Sequence, residues 1–240
     1  MAKELPGNYG FDAPYIPLVS IVGAGVFIVY GIAVRPSLPL MILLAVLLVM
    51  QAALYLHASK RGKFVVWRRI VEQLQLEGDE IVLDVGCALG MVALSIAPSI
   101  TDGEVFAIDS WGDRDATGSA MGVAEENAVL LGVADRVEFL DGRITALPFD
   151  DGSFDVVTAH VVIQHIKDRD ERRKVIEEIW RVLAPGGRLR IAETQFANQY
   201  RDDLVSIGAT DAKLKNLGVE GWFGNPYYSM RLVSATKPTV

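Results

Sequence analysis

Two uncharged apolar runs dominate the first quarter of the chain, Leu18–Val34 and Leu38–Leu56, with only Arg35-Pro36-Ser37 between them. Nineteen helical residues rise about 28 Å, close to the roughly 30 Å hydrocarbon core of a bilayer. Pro17 suits a helix start, and Pro36 and Pro39 suit a tight turn. The pattern predicts an N-terminal segment, residues 1–59, whose helices cover about 16–34 and 38–57 and form a transmembrane hairpin with both ends on one side. A signal peptide has one shorter apolar core and a small-residue exit. Paired helices of a soluble bundle are less uniformly apolar. Both alternatives fit this pattern less well.

From Phe64 the texture changes. Phe64, Trp67, Ile70, Val71 and Leu74 recur at helical spacing, which predicts a helix packed on a sheet. Short apolar stretches then alternate with helical ones. Strands are predicted over Ile81–Val85, Val105–Ile108, Val137–Leu140, Asp155–Ala159, Arg188–Ala192 and Arg231–Thr236. Helices are predicted over Met91–Ala97, Ser119–Leu131 and Arg169–Leu183, stopped by Pro98, Gly132 and Pro185-Gly186-Gly187. Such alternation implies an α/β domain over residues 60–240 with a doubly wound, mostly parallel sheet. Ligands of these sheets bind beyond the carboxyl ends of the strands, where the strand order reverses.

Charge divides the chain at the same place. Residues 1–69 hold seven Lys/Arg and two Asp/Glu, and the remainder sixteen and twenty-eight, within an overall charge of −7. Lys60, Arg61, Lys63, Arg68 and Arg69 follow the second run, whereas the connecting turn holds only Arg35. The positive-inside rule therefore places the globular domain in the cytoplasm, and the basic cluster suits anionic headgroups. The acidic domain disfavours nucleic acid as a partner. Self-association through the hairpin is compatible with this pattern. The single cysteine, Cys87, excludes an internal disulfide and a cysteine-rich metal centre. His57, His160 and His165 lack ligand spacing, so no metal site is expected.

The chemistry concentrates at strand ends. The first strand runs into Asp84-Val85-Gly86-Cys87-Ala88-Leu89-Gly90, whose glycines permit a tight turn before a helix. The second ends at Asp109, where a carboxylate can accept hydrogen bonds from both ribose hydroxyls of a nucleoside. The chain lacks the Gly-x-Gly-x-x-Gly dinucleotide fingerprint.

Four segments in order resemble the class I S-adenosylmethionine (SAM)-dependent methyltransferases, above all the ubiquinone/menaquinone biosynthesis branch. They are LDVGCALG (83–90), LPFDDGSFDVV (147–157), VVIQHI (161–166) and RVLAPGGRLRIAE (181–193). The resemblance covers about residues 64–195 and implies a seven-stranded Rossmann-like sheet with SAM as cofactor. It assigns Asp84, Gly86, Cys87, Ala88 and Gly90 to the methionine pocket. Asp109 goes to the ribose, and Ser110 and Trp111 to the adenine. Gly142, Arg143 and Ile144 fall where the family reads Gly-Asp-Ala beside the adenine amino group, and His160 lies near the methionine end. Three positions depart from the family pattern: Ala88 for a glycine, Arg143 for an acid, leaving Asp141 or a backbone group to meet the adenine, and Gln164 for the first of two histidines.

The resemblance also implies methyl transfer by in-line displacement, for which the protein supplies alignment and a dry pocket. A base is needed only for a protonated acceptor, and His165, His160 and Glu193 are the candidates. The anchor points to a small, lipophilic or membrane-associated acceptor. Thr194–Ser229, with Phe196, Tyr200, Trp222, Phe223 and Tyr227, is expected to cover it, and Trp111–Thr117 to form a further pocket wall. Asn225-Pro226-Tyr227-Tyr228 is expected to make only a turn into the last strand. Two other readings stay open, a membrane-tethered NAD(P)-dependent oxidoreductase and a non-catalytic SAM-binding scaffold.

Overall fold

The computed structural model describes residues 5–111 and 120–239, which form two compact units. One comprises residues 5–10, 67–111, 120–216 and 231–239; the other comprises 11–66 and 217–230. The expected wall over 112–117 lies outside the described residues.

The first unit contains the sheet. Its strands are β1 (Ile81–Val85), β2 (Glu104–Asp109), β3 (Val137–Asp141), β4 (Phe154–His160), β5 (Leu183–Glu193), β6 (Lys213–Asn216) and β7 (Arg231–Thr236), in the order β3-β2-β1-β4-β5-β7-β6. The pairings from β3 across to β5 are parallel, while β7 runs antiparallel to both β5 and β6. This is the doubly wound sheet expected from the alternation. Strand order reverses between β1 and β4, so a crevice opens beyond their carboxyl ends.

The central strands are nearly continuous in apolar residues because helices cover both faces of a parallel sheet. Leu83, Val85, Val157, Ala159, Leu189 and Ile191 are all fully buried. Packed around them are α4 (Met91–Ile96), α5 (Ala120–Leu131), α6 (Arg169–Val182) and α7 (Ala197–Ser206). Asp168 starts α6 by accepting the backbone N–H groups of Asp170 and Glu171. Val175, Ile176 and Ile179 form its buried stripe. Two elements were not foreseen. β6 reads Lys-Leu-Lys-Asn, an exposed edge strand whose lysines resemble a solvated loop. α7 is short and polar, yet buries Tyr200 and Leu204.

The second unit holds α1 (Tyr15–Ala33) and α2 (Leu38–His57), followed by a π-helical turn at Ala58–Gly62 and the start of α3 (Lys63–Leu74). Both α1 and α2 belong to helices long and apolar enough to cross a membrane, by length and composition. Their burial is inverted relative to a soluble core. The seam between them buries Ala24, Ala45 and Ala52, while Leu18, Val29, Leu43 and Val49 face outward. Lys63 is not a headgroup ligand here: it is buried and pairs with Asp12 at 3.2 Å.

Leu189→Ala, at a fully buried site in β5, is expected to destabilise the sheet unit by about 2–5 kcal/mol. Val129→Ala, on the exposed side of α5, should change stability by less than about 0.5 kcal/mol. Denaturation midpoints of the two variants check the contrast.

Candidate functional site

β1 ends in a loop in which every second residue is left-handed. Gly86, Ala88 and Gly90 have φ of +73°, +48° and +80°. At Gly86 a side chain is excluded, because a Cβ there would lie 2.2 Å from Cγ2 of Val162, which follows β4. Ala88 adopts the conformation that a glycine would take more easily, at about 1–2 kcal/mol. The departure from the family pattern therefore leaves the turn left-handed. Three amides fasten this loop to β2. Gly86 and Cys87 donate to the Ile108 carbonyl, and Ala88 donates to Oδ2 of Asp109 at 2.8 Å. The glycine turn and the Asp109 carboxylate thus face each other.

Asp84 supports the loop from below. It is buried, accepting from the Thr158 hydroxyl at 2.8 Å and from the Ala93 amide at 3.2 Å. Burial outweighs both bonds and pushes its carboxyl up to about 7. Cys87 is also buried, and burial beside Asp84 and Asp109 drives its thiol well above the usual range. A protonated thiol is a poor nucleophile, which suits a structural role.

The ends of β2 and β3 make the neighbouring wall. The Trp111 amide donates to Oδ1 of Asp141 and its indole donates to the Leu140 carbonyl, each at 3.1 Å. The Gly142 amide donates to the Asp109 carbonyl, and a Cβ on Gly142 would lie 2.7 Å from Ile108 Cδ1. Ser110 and Arg143 are exposed, while Ile144 packs against the core. Asp141 is therefore an acid held beside Trp111.

Across the crevice, the loops after β4 and β5 are tied together. The Glu193 carboxylate oxygen Oε1 accepts the amides of Val162 and Ile163 at 3.0 and 2.8 Å. Gln164 returns the link, its Oε1 accepting from the Thr194 amide and hydroxyl and from the Gln195 amide. Gln164, a departure from the histidine pair that the resemblance implied, thus acts as a loop staple. Val161 and Phe196 take left-handed φ of +49° and +58°. Such outliers cost about 1–3 kcal/mol and cluster at functional sites. Arg172 stacks 4.0 Å above the Phe196 ring and donates to the Ile166 and Lys167 carbonyls. His160, at the end of β4, meets the Trp67 ring edge-on at 5.8 Å. His165 is exposed on a 3-10 turn after β4. Tyr200, expected in a substrate cover, is instead fully buried in the sheet core.

Sequence reasoning missed four contributors. Thr158 and Val162 are ordinary apolar-strand and loop residues until the fold sets them against Asp84 and Gly86. Gln164 reads in sequence only as a departure from the family pattern, without its role. Asn127 is buried in α5 and binds Asn8 through two hydrogen bonds while donating to the Leu89 carbonyl, so residues near Asn8 are pinned beside the cofactor loop.

SAM fits this crevice. The left-handed turn lies against the Asp109 carboxylate, which offers an acceptor at the end of β2, and Trp111 supplies an aromatic wall.

The two buried carboxyls carry a pH signature. Burial holds Glu193 up to about 8 and Asp84 up to about 7. The folded protein keeps protons that the unfolded chain releases near about pH 4. Their contribution to stability is complete below that value and is lost as pH rises through 7 and 8. The melting temperature should fall between about pH 5.5 and 8.5, and Glu193→Gln, whose amide oxygen can still accept both N–H groups, should flatten the decline. Calorimetry at constant ionic strength checks this; a variant falling as steeply as the parent contradicts it.

Comparison with known proteins agrees with the geometry. Residues 83–191 match the family described as a methyltransferase domain. A sterol 4-C-methyltransferase of Caenorhabditis elegans is 32% identical over 134 residues, 56% of this chain and 37% of that protein. A ubiquinone/menaquinone biosynthesis C-methyltransferase of Brucella anthropi is 40% identical over 79 residues, 33% of this chain and 29% of that protein. The chain thus spans only 37% and 29% of the length of these two relatives. A SAM-dependent methyltransferase from Aquifex aeolicus superposes with a TM-score of 0.56 at 19% identity, covering 71% of this chain and 88% of that one, which shows a shared fold.

Proposed function

We propose, for a chain whose residues 83–191 form a class I SAM-dependent methyltransferase domain, that it transfers a methyl group to carbon on a small lipophilic acceptor at a membrane. SAM is the cofactor of this domain. The observation that carries the reading is the Ala88 amide on the Asp109 carboxylate at the point where strand order reverses.

In this reading Asp84, Gly86, Cys87, Ala88 and Gly90 shape the methionine end, Asp84 from beneath the loop. Asp109 holds the ribose. Ser110, Trp111, Gly142, Arg143 and Ile144 border the adenine, with Asp141 beside them. Bound there, SAM supplies an electrophilic methyl on a sulfonium with a neutral thioether as leaving group. The chain's own work is alignment and exclusion of water. Val162, seated over Gly86, narrows the crevice at the methionine end. Glu193 holds the amides of Val162 and Ile163, and burial keeps it protonated near neutrality. It therefore serves better as a positioning residue than as a base. His160 and His165 are the proposed imidazoles for orienting or deprotonating an acceptor.

The acceptor class rests on two supports. The relatives are named for methylating a sterol and for quinone biosynthesis. The outward-facing large apolar residues of α1 and α2 suit lipid. A hairpin with both ends in the cytoplasm would tether the domain beside membrane-dissolved acceptors at high effective concentration.

Radiolabelled methyl transfer from SAM into fractionated membrane lipids, run beside a soluble metabolite pool, tests the reading. Label is expected in the lipid fraction. Tight SAM binding with no transfer to either pool would favour the scaffold reading. Asp109→Ala should weaken SAM binding about 10- to 100-fold by calorimetry, through loss of a charged hydrogen-bond acceptor. His165→Ala should lower turnover more than SAM affinity; unchanged turnover would remove it from the machinery.

A further inference from the structure

The segment between β6 and β7 does not group with the sheet that it interrupts. Residues 217–230 belong to the same compact unit as the hairpin. They meet α2 and the turn after it at successive points. The Glu220 carbonyl lies so close to Gly62 that a Cβ there would sit 1.9 Å away. The Glu220 side chain pairs with His57 at 2.7 Å. The Phe223 ring meets Tyr55 edge-on at 5.5 Å. A Cβ on Gly224 would lie 3.1 Å from Cγ of Gln51. Positions 220, 223 and 224 therefore meet 57, 55 and 51. The segment runs antiparallel to α2, from its end back into the apolar run. His57 to Gln51 is six residues, about 9 Å of helix rise.

At its far point the segment forms a closed finger. Trp222 and Ser229 make an antiparallel bridge, and the Phe223 amide donates to the Tyr228 carbonyl. Asn225 caps the tip, its Oδ1 accepting the amides of Tyr227 and Tyr228. The capped turn leaves Tyr227 91% exposed and Tyr228 54% exposed. Residues 221–230 contain no Lys, Arg, Asp or Glu. An uncharged finger that reaches the level of Gln51 and ends in two exposed tyrosines matches the requirements of a bilayer interface, where an apolar ring and a polar hydroxyl are both satisfied.

We propose that the finger Trp222–Ser229 is a second membrane contact, which seats Tyr227 and Tyr228 at the boundary between lipid headgroups and acyl chains. The proposal rests on the reading of α1 and α2 as membrane-spanning. Its occupant is lipid because the finger lies along α2, a helix whose large aliphatic residues face outward, and carries no charge for pairing with a protein partner.

The full chain in nanodiscs of phosphatidylcholine and phosphatidylglycerol allows the test. Tyr227→Cys, Val26→Cys and Asp170→Cys variants are each labelled with an environment-sensitive fluorophore, with the parent chain, whose Cys87 is buried, as the labelling blank. Shallow and deep spin-labelled lipids and an aqueous quencher then report depth. The expected result is loss of emission at position 227 to the shallow lipid, at 26 to the deep lipid, and at 170 only to the aqueous quencher. Quenching at 26 by lipid with 227 quenched only from water overturns the proposal and leaves the hairpin reading standing. Protection of 227 from every quencher also overturns it, in favour of a second copy or another protein over the finger. Aqueous quenching at all three positions removes the hairpin reading and this proposal together.

Discussion

The hydrogen bond from the Ala88 amide to the Asp109 carboxylate brings several requirements into one place. It forms only if the chain turns left-handed directly after β1, and if β2 is hydrogen-bonded in parallel register beside β1. It also fixes the one acidic side chain at the end of β2 against the amides of the turn. The rest of the crevice follows from this arrangement. Val162 can sit over Gly86 because no Cβ is present there, and the Gly142 amide reaches the Asp109 carbonyl because β3 continues the same register. The proposed cofactor pocket is thus a consequence of strand order and three left-handed residues rather than of any single reactive side chain.

Two buried carboxyls hold the crevice in shape, and the burial that positions each also raises its pKa. Asp84 braces the turn through Thr158 and Ala93, while Glu193 braces the loop after β4 through Val162 and Ile163. An ionised carboxylate at either site loses more solvation than its hydrogen bonds return. The two sit at the ends of adjoining strands on either side of β4, so stability and the geometry of the proposed transfer site share one pH dependence.

The hairpin unit obeys the opposite packing rule. In the sheet, large apolar residues are buried and small polar ones exposed; in α1 and α2, alanines line the seam and large aliphatics face outward. Inverted burial of this kind suits a medium as apolar as the side chains themselves, where close helix approach depends on small residues.

Local patterning determined much of this protein in advance. The apolar runs located α1 and α2 to within a residue or two, since a helix needs nothing beyond its own length and composition to be recognised there. Short apolar stretches placed the strands from β1 to β4 and β7, and the motif at 83–90 together with Asp109 marked the crevice, whereas β5 begins at Leu183 and takes in the Pro185-Gly186-Gly187 read as a helix exit. Side chains whose roles depend on long-range partners stayed hidden. Thr158, Val162, Gln164 and Asn127 gain their meaning only when strands distant in sequence are adjacent. β6 and α7 were too polar and too short for periodicity to reveal. Residues 217–230 are the sharpest case. Their sequence places them between two strands of the sheet, yet a ring contact, a hydrogen bond and two glycine contacts with α2 and the turn after it set them with the hairpin. Periodicity reports which face of an element is apolar, but the choice among distant apolar partners is made by shape and charge in three dimensions.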